Sequence, residues 1–215
     1  MSAHLFVNEI FHSIQGESSH AGRPCIFIRL TYCNLRCSWC DTEYAFHEGV
    51  SMEIPEIVDR VREFGCRLVE VTGGEPLVQK ATIELLRTLC DEDFEVLLET
   101  GGSLDIRNVD SRVKRIVDFK CPGSGMEEHN LWSNVEHLLP QDEVKFVITD
   151  RNDFHWSVAK VKHFDLENRC PILFSPVFGV LQPVQLAEWV LGEKLKVRLQ
   201  LQLHKFIWEP ETRGV

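Results

Sequence analysis

No apolar run in the 215-residue chain approaches the ~20 residues that a membrane-spanning helix needs. Residues 1–13 lack the basic-then-apolar layout of a secretory signal, so a cytoplasmic or equally reducing location is expected. Positive charge is short: 23 Lys and Arg against 33 Asp and Glu leave a formal net charge of −10. That mean field repels a phosphate backbone, so neither a broad nucleic-acid surface nor a membrane surface is expected, while a local basic pocket for a small anion stays compatible. Internal repeats, low-complexity tracts and Gly/Ser-rich linkers are missing, which leaves a single domain over residues 1–215. At 44% hydrophobic and 26% charged residues, the composition excludes disorder as the main theme.

What is present alternates. Segments rich in β-branched and aromatic residues cover 5–11, 25–31, 67–72, 94–100, 115–119, 143–149, 172–175 and 196–203. Between many of them lie helical patterns. Ile54, Ile57, Val58, Val61 and Phe64 share one face, as do Ile83, Leu86 and Leu89 over 81–90. Further helices are expected at 131–139, 153–164 and 184–191. Such alternation implies right-handed βαβ units and a parallel sheet. A closed eightfold barrel typically takes about 250 residues. The predicted class is therefore α/β, a partial (open) TIM-like barrel with parallel strands. Its ligands belong at the carboxyl ends of the strands, where the chain places Cys33, Gly73-Gly74-Glu75-Pro76, Glu99-Thr100-Gly101 and Lys120-Cys121-Pro122.

Of eight cysteines, three crowd together as Cys33, Cys37 and Cys40, spaced C-x3-C-x2-C. A reducing compartment argues against disulfides, and soft thiolates so spaced suit zinc or an iron–sulfur cluster. A structural zinc site wants four ligands. The fourth has to come from Cys25, Cys66, Cys121, Cys170 or a histidine, and no second C-x2-C exists. A cubane held by three cysteines instead leaves one iron open. Buried free thiol is the default for the scattered cysteines, Cys90 included. Trp39, between the last two cluster cysteines, is either packing or a lid.

C-x3-C-x2-C with an aromatic before the last cysteine, followed by GGEP at Gly73–Pro76, resembles the radical S-adenosylmethionine (SAM) enzymes. The resemblance implies a 4Fe-4S cluster whose open iron chelates SAM, with Gly73, Gly74 and Glu75 receiving the SAM amino group. A glycine pair also lets backbone approach a ligand closely, and the cofactor carries the hard chemistry.

A narrower resemblance runs along nearly the whole chain. Residues 9–17 with Ala21-Gly22-Arg23-Pro24, Cys40-Asp41-Thr42, residues 99–103, Asp118-Phe119-Lys120, Phe174-Ser175-Pro176 and Gln202-Leu203-His204-Lys205 are similar to the 7-carboxy-7-deazaguanine synthases. This implies conversion of 6-carboxy-5,6,7,8-tetrahydropterin to 7-carboxy-7-deazaguanine with loss of ammonia, in 7-deazapurine (queuosine) biosynthesis. It implies substrate contacts from Ile14, Gln15, Gly16, Glu17, Arg29, Thr72, His204 and Val215. SAM contacts are expected from Glu99, Thr100, Asp118, Lys120, Ser175, Pro176, Val177 and Phe178, beside the glycine motif. Mg2+ is expected on Thr42, a reducing partner such as flavodoxin or ferredoxin is implied, and so is a homodimer.

Plainer readings stand beside several of these. Gln15 and Glu17 can lie on an exposed strand end, Arg29 can pair with a structural carboxylate, Asp41-Thr42 can cap a helix, and Lys120 can be a surface lysine. One departure from the family pattern is Ser18, where glycine is frequent. Two other functions share parts of this pattern. A radical-generating activase often carries extra C-x2-C cysteines, which are missing here. A zinc-stapled binding module leaves the GGEP and Gln15/Glu17 loops without work.

Overall fold

The computed structural model describes residues 3–215. Nine strands form one sheet: β1 (His4–Ile14), β2 (Pro24–Leu30), β3 (Val50–Glu53), β4 (Leu68–Gly73), β5 (Glu95–Thr100), β6 (Lys114–Asp118), β7 (Glu143–Ile148), β8 (Ile172–Pro176) and β9 (Arg198–Leu199). Their spatial order is β3-β1-β2-β4-β5-β6-β7-β8-β9. From β2 to β9 every pairing is parallel. The two ends of the sheet do not pair, so it is the open α/β sheet that the alternation predicts. β1 departs from the parallel pattern. It pairs antiparallel with β2 and β3, because only the loop 15–23, with no helix, joins it to β2.

Side-chain alternation sets the two faces. In β2, Ile26, Ile28 and Leu30 join the main core, while Cys25, Phe27 and Arg29 face the other way. In β4, Val69 and Val71 oppose Leu68, Glu70 and Thr72. The main core lies under α1 (Ile54–Glu63), α2 (Thr82–Asp91), α3 (Arg151–His163) and α4 (Pro183–Glu193), which contribute Ile57, Leu86, Phe154 and Leu186 among others. The inner face is apolar only at its base, where Cys25, Phe27, Leu68, Leu97 and Ile116 form a second cluster. Towards the strands' carboxyl ends it turns polar. Among the described residues, no helix is long and apolar enough to cross a membrane.

Two expected elements differ. Over 131–139 the chain makes a 3-10 turn, Trp132–His137, rather than an α-helix. Buried Asn134 spends its amide on Ile106 N, Gly102 O and Leu104 O, which ties the turn to the loop after β5. Of the strand expected over 196–203, only Arg198–Leu199 pairs with β8. Beyond it Gln200 and Gln202 turn their amides to Glu17, and α5 (His204–Ile207) begins. The short exposed strand β3 carries no strong pattern and was not expected.

Candidate active site

The loop after β2 carries the three cysteines. Tyr32 leads into it at φ +79°, and Glu75 N donates to Tyr32 O at 2.8 Å. Buried Leu35 plugs its underside. A second loop, at 121–126, grips it from the side. Ser38 donates its N–H to Ser124 O and its hydroxyl to Gly123 O. Asp153, buried in the first turn of α3, holds that second loop through Gly123 N and Thr149. Cys33, Cys37 and Cys40 all line the same cavity as free thiols. Burial pushes Cys37 up to about 11, so the bare thiols stay protonated and thiolate forms only against a cationic centre.

The donor set suits a cluster with one open iron better than a zinc staple. Among the described residues, no three His, Cys, Asp or Glu side chains, the three loop cysteines included, stand close enough together to hold a single ion, so the choice rests on whether a fourth ligand is within reach. Cys121 faces Ser157 at 3.3 Å, Cys66 turns to Pro24 O, and Cys25, Cys90 and Cys170 are buried in the cores. None of these closes a fourth position. Desolvation raises the buried thiols of Cys25 and Cys121 well above the ordinary range, as in inert packing cysteines.

The glycine motif ends β4 against this loop. At Gly73, φ is +144° and a Cβ would sit 2.1 Å from Leu30 O. At Gly74 a Cβ would sit 2.3 Å from Tyr32 O and 2.8 Å from Cys33 Cβ. Only glycine allows this approach. Gly73 and Gly74 line the cavity, and so do Thr72, Thr100, Asp118 and Lys120. Glu75 behaves differently from the expectation. Its carboxylate is fully buried and accepts from Leu77 N, Thr100 Oγ1 and Gly101 N, so it clamps the two loops and does not line the cavity. Burial raises its pKa. Lys120 is not a surface lysine. It pairs with Asp118 at 2.7 Å and lies 5.1 Å over the Trp39 ring. Burial opposes its charge, but Asp118 outweighs burial and keeps it protonated. Asp118 Oδ1 is sealed in without a hydrogen-bond partner.

The opposite wall is the loop 15–19. A Cβ on Gly16 would sit 2.1 Å from His204 Nδ1, so glycine is required under that ring. Gln15 donates through Nε2 to Glu70 and accepts at Oε1 from Glu17 N. Glu17 accepts from Lys145, Gln200 and Gln202. Lys145 also donates to Glu99 at 2.7 Å. Burial works against ionising Glu17, yet Lys145 outweighs it and holds the carboxyl low. Burial pushes Glu70 and Glu99 up, and for Glu70 the neighbouring Glu99 and Glu17 add to the effect. Ser18 sits at φ +60°, a left-handed conformation that favours glycine, which explains the residue frequent there among similar chains. Its N–H and hydroxyl bond Gln200 and His20 N.

Arg29 pairs with a structural carboxylate and keeps donors in reserve. Its Nε donates to Glu9 at 2.7 Å, while neither Nη has a protein partner among the described residues. Tyr44 donates its hydroxyl to the same Glu9 oxygen. Thr42 leads into a 3-10 turn without capping it, and its hydroxyl goes to Asp41 Oδ1. Burial raises Asp41, but Lys205 on Oδ2 outweighs burial and holds it low. The C-terminal segment folds back over the opening. Arg213 lies 3.7 Å over the Tyr44 ring, and Val215 lines the cavity.

One cavity of about 870 Å³ thus gathers every expected site residue except Glu75, from Ile14 to Thr42 and from Ser175, Pro176, Val177 and Phe178 to Val215. Glu70, Lys145, Tyr44 and Lys205 also line it and were not foreseen. A signal for two of them existed. Glu70 and Lys145 each interrupt an apolar strand, as Arg29 does.

Residues 27–122 match the radical SAM superfamily. The 7-carboxy-7-deazaguanine synthase of Chlorobaculum tepidum is 50% identical to the chain, over 99% of this chain and 98% of its own length. The chain belongs to the 7-carboxy-7-deazaguanine synthase family. The Koribacter versatilis member is 45% identical over 97% of this chain and 99% of its own. The crystal structure of QueE from Escherichia coli superposes with a TM-score of 0.78 at 22% identity, covering 94% of this chain and 95% of that one. Streptococcus suis SuiB bound to S-adenosylmethionine shares the fold more distantly, at a TM-score of 0.55 and 14% identity over 80% of this chain and 44% of its own. Membership in the 7-carboxy-7-deazaguanine synthases makes the chain a radical SAM enzyme, with a 4Fe-4S cluster and SAM as cofactors.

Proposed function

We propose that the cavity converts 6-carboxy-5,6,7,8-tetrahydropterin to 7-carboxy-7-deazaguanine with loss of ammonia. The observation that carries this is the pairing of two unlike walls in one cavity. The cysteine loop and the glycine motif form one, and the buried Gln15–Glu17–Lys145–Glu99 network with Arg29 and His204 forms the other.

Cys33, Cys37 and Cys40 would hold the cluster, leaving one iron for the amino and carboxylate groups of SAM. When bound and reduced, this pair supplies a 5′-deoxyadenosyl radical that abstracts hydrogen. The chain's own residues do the rest. Gly73, Gly74 and Thr100 offer close backbone to SAM. Asp118, Lys120 and residues 175–178 line its other side. The free Nη groups of Arg29 bind the substrate carboxylate as a fork. His204, pressed on Gly16 and shifted down by burial, is neutral at pH 7 and serves as a donor or acceptor without adding charge. Thr42 would give one hard oxygen to Mg2+ beside the substrate carboxylate. A reducing partner such as flavodoxin or ferredoxin would supply the electron, and the chain would act as a cytoplasmic homodimer.

The test is mass spectrometry of an anaerobic reaction of the reconstituted protein with reductant, SAM, magnesium and the pterin. The expected product is lighter by ammonia. Cleavage of SAM with the pterin intact overturns the substrate, and cleavage that survives Cys33→Ala, Cys37→Ala and Cys40→Ala overturns the cluster. In the same assay Thr42→Ala should shift the magnesium dependence and not the SAM dependence; an unmoved magnesium curve removes Thr42 from the ion.

A further inference from the structure

We infer that Glu70 reads the pyrimidine edge of the substrate and sets specificity for its exocyclic amine. This rests on the pterin reading above. Glu70 lies on the cavity side of β4, is 4% exposed, and places one oxygen, Oε2, under Gln15 Nε2. Its other oxygen, Oε1, has no hydrogen-bond partner among the described residues and is not among the sealed unpartnered atoms. It therefore opens on the cavity. A carboxylate kept here with one bare oxygen contributes nothing to folding and costs desolvation. Lys145, bonded to Glu17 and Glu99, makes no hydrogen bond to it and offsets the burial only in part.

The other acceptors near this floor are committed. Both amide atoms of Gln15 are used, and both oxygens of Glu17 accept from protein. In the loop backbone, Gln15 N and O bond Arg23 and Gly22, and Gly16 O accepts from Leu203 N. The pyrimidine edge of a 2-amino-4-oxo ring presents two neighbouring donors, a ring N–H and the exocyclic amine. They need an acceptor, and two donors brought to Oε1 favour the ionised form of Glu70 against the burial and the neighbouring Glu99 and Glu17 that otherwise oppose it.

Register gives the ligand its length. Glu70 is level with Phe27 on the neighbouring strand, and Arg29 is level with Thr72. Glu70 and Arg29 are thus one strand and two residues apart, about 8 Å at the backbone. A fused two-ring acid spans that interval with its amine edge on Glu70 and its carboxylate on Arg29. Glu99, which also has an uncommitted oxygen, lies nearer the strand ends beside Thr100 and the glycine motif, away from this base.

The test compares anaerobic holoenzyme with Glu70→Gln by calorimetry and by KM, using the pterin and its 2-deamino analogue. A carboxylate accepts on both sides; an amide must turn its NH2 either to Gln15 Nε2 or to the ligand's donors. Wild type should prefer the pterin over the analogue by about 100-fold, and Glu70→Gln should erase the preference by weakening the pterin about 100-fold, with the analogue and SAM unmoved. An undiminished preference in Glu70→Gln overturns the inference. Glu70→Asp, which keeps the charge but withdraws it, serves if the amide variant does not fold. It should weaken the pterin at least about 10-fold, and wild-type affinity overturns the inference equally. If wild type cleaves SAM yet binds no pterin at all, the substrate reading is what has failed.

Discussion

Lys145 is the residue on which the buried charge of the cavity turns. Its ammonium, 7% exposed, sits between Glu17 and Glu99, with Glu70 behind them. Burial alone favours a neutral amine, and the two carboxylates reverse that. Lys145→Met leaves those carboxylates without their cation, Glu17 keeping only Gln200 and Gln202, which costs about 3–5 kcal/mol. Urea denaturation should show that loss, and Glu99→Gln added to Lys145→Met should recover part of it. An unchanged midpoint in Lys145→Met removes the ion network from the stability of the floor. Arg29 was legible because a lone cation in an apolar strand is rare. Glu70 and Lys145 carry the same mark and went unread, since their meaning depends on which strands become neighbours. Glu75 shows the converse. Its motif was plain, but whether its carboxylate faces ligand or backbone is decided by Thr100 and Gly101, about 25 residues away.

At the scale of elements, strand ends are tied by charge at the base of the sheet. Glu95, starting β5, binds Arg23, just before β2, at 2.6 Å and Lys114, starting β6, at 2.8 Å. The Arg23 hydrogen bond, against some burial and with help from Lys114, holds the Glu95 carboxyl down at about 2 from an ordinary 4.5. The folded value is the lower one, so its stabilisation is present above 4.5 and disappears as pH falls towards 2. Glu95→Gln should flatten that part of the acid limb in denaturation midpoints taken between pH 5 and pH 2; parallel limbs would show the clasp to be idle. Helices α1 and α2 are legible from periodicity, because each buries one stripe on the sheet, while α3 and α4 follow from the strand–helix alternation. The stretch beyond β9 misled. Its alternating Arg198-Leu199-Gln200-Leu201-Gln202-Leu203 reads as a strand, yet pairing ends with the Gln200 N–H on Phe174 O, and both glutamine side chains turn to Glu17.

For the whole molecule, the open edge matters most. Around β9 and α4, Val180, Val184, Leu199, Phe206 and Ile207 are exposed, and Phe178 packs edge-on to Phe206. An apolar rim of this kind favours self-association, in line with the proposed homodimer. Sedimentation should give twice the chain mass at micromolar protein; a monomer at every concentration removes the dimer. Local chemistry was settled by residues close in the chain. The cysteine spacing, the Gly-Gly turn and the strand–helix alternation act over a few residues, so they are written in order along the sequence. The substrate floor is otherwise. Gln15, Glu70, Glu99, Lys145 and His204 come from separate elements, and their partners and charge states exist only once parallel pairing sets the strands side by side. Burial and neighbouring charge are properties of that packing, not of any segment, and for this reason folding alone decided which carboxylate stays free to meet a ligand.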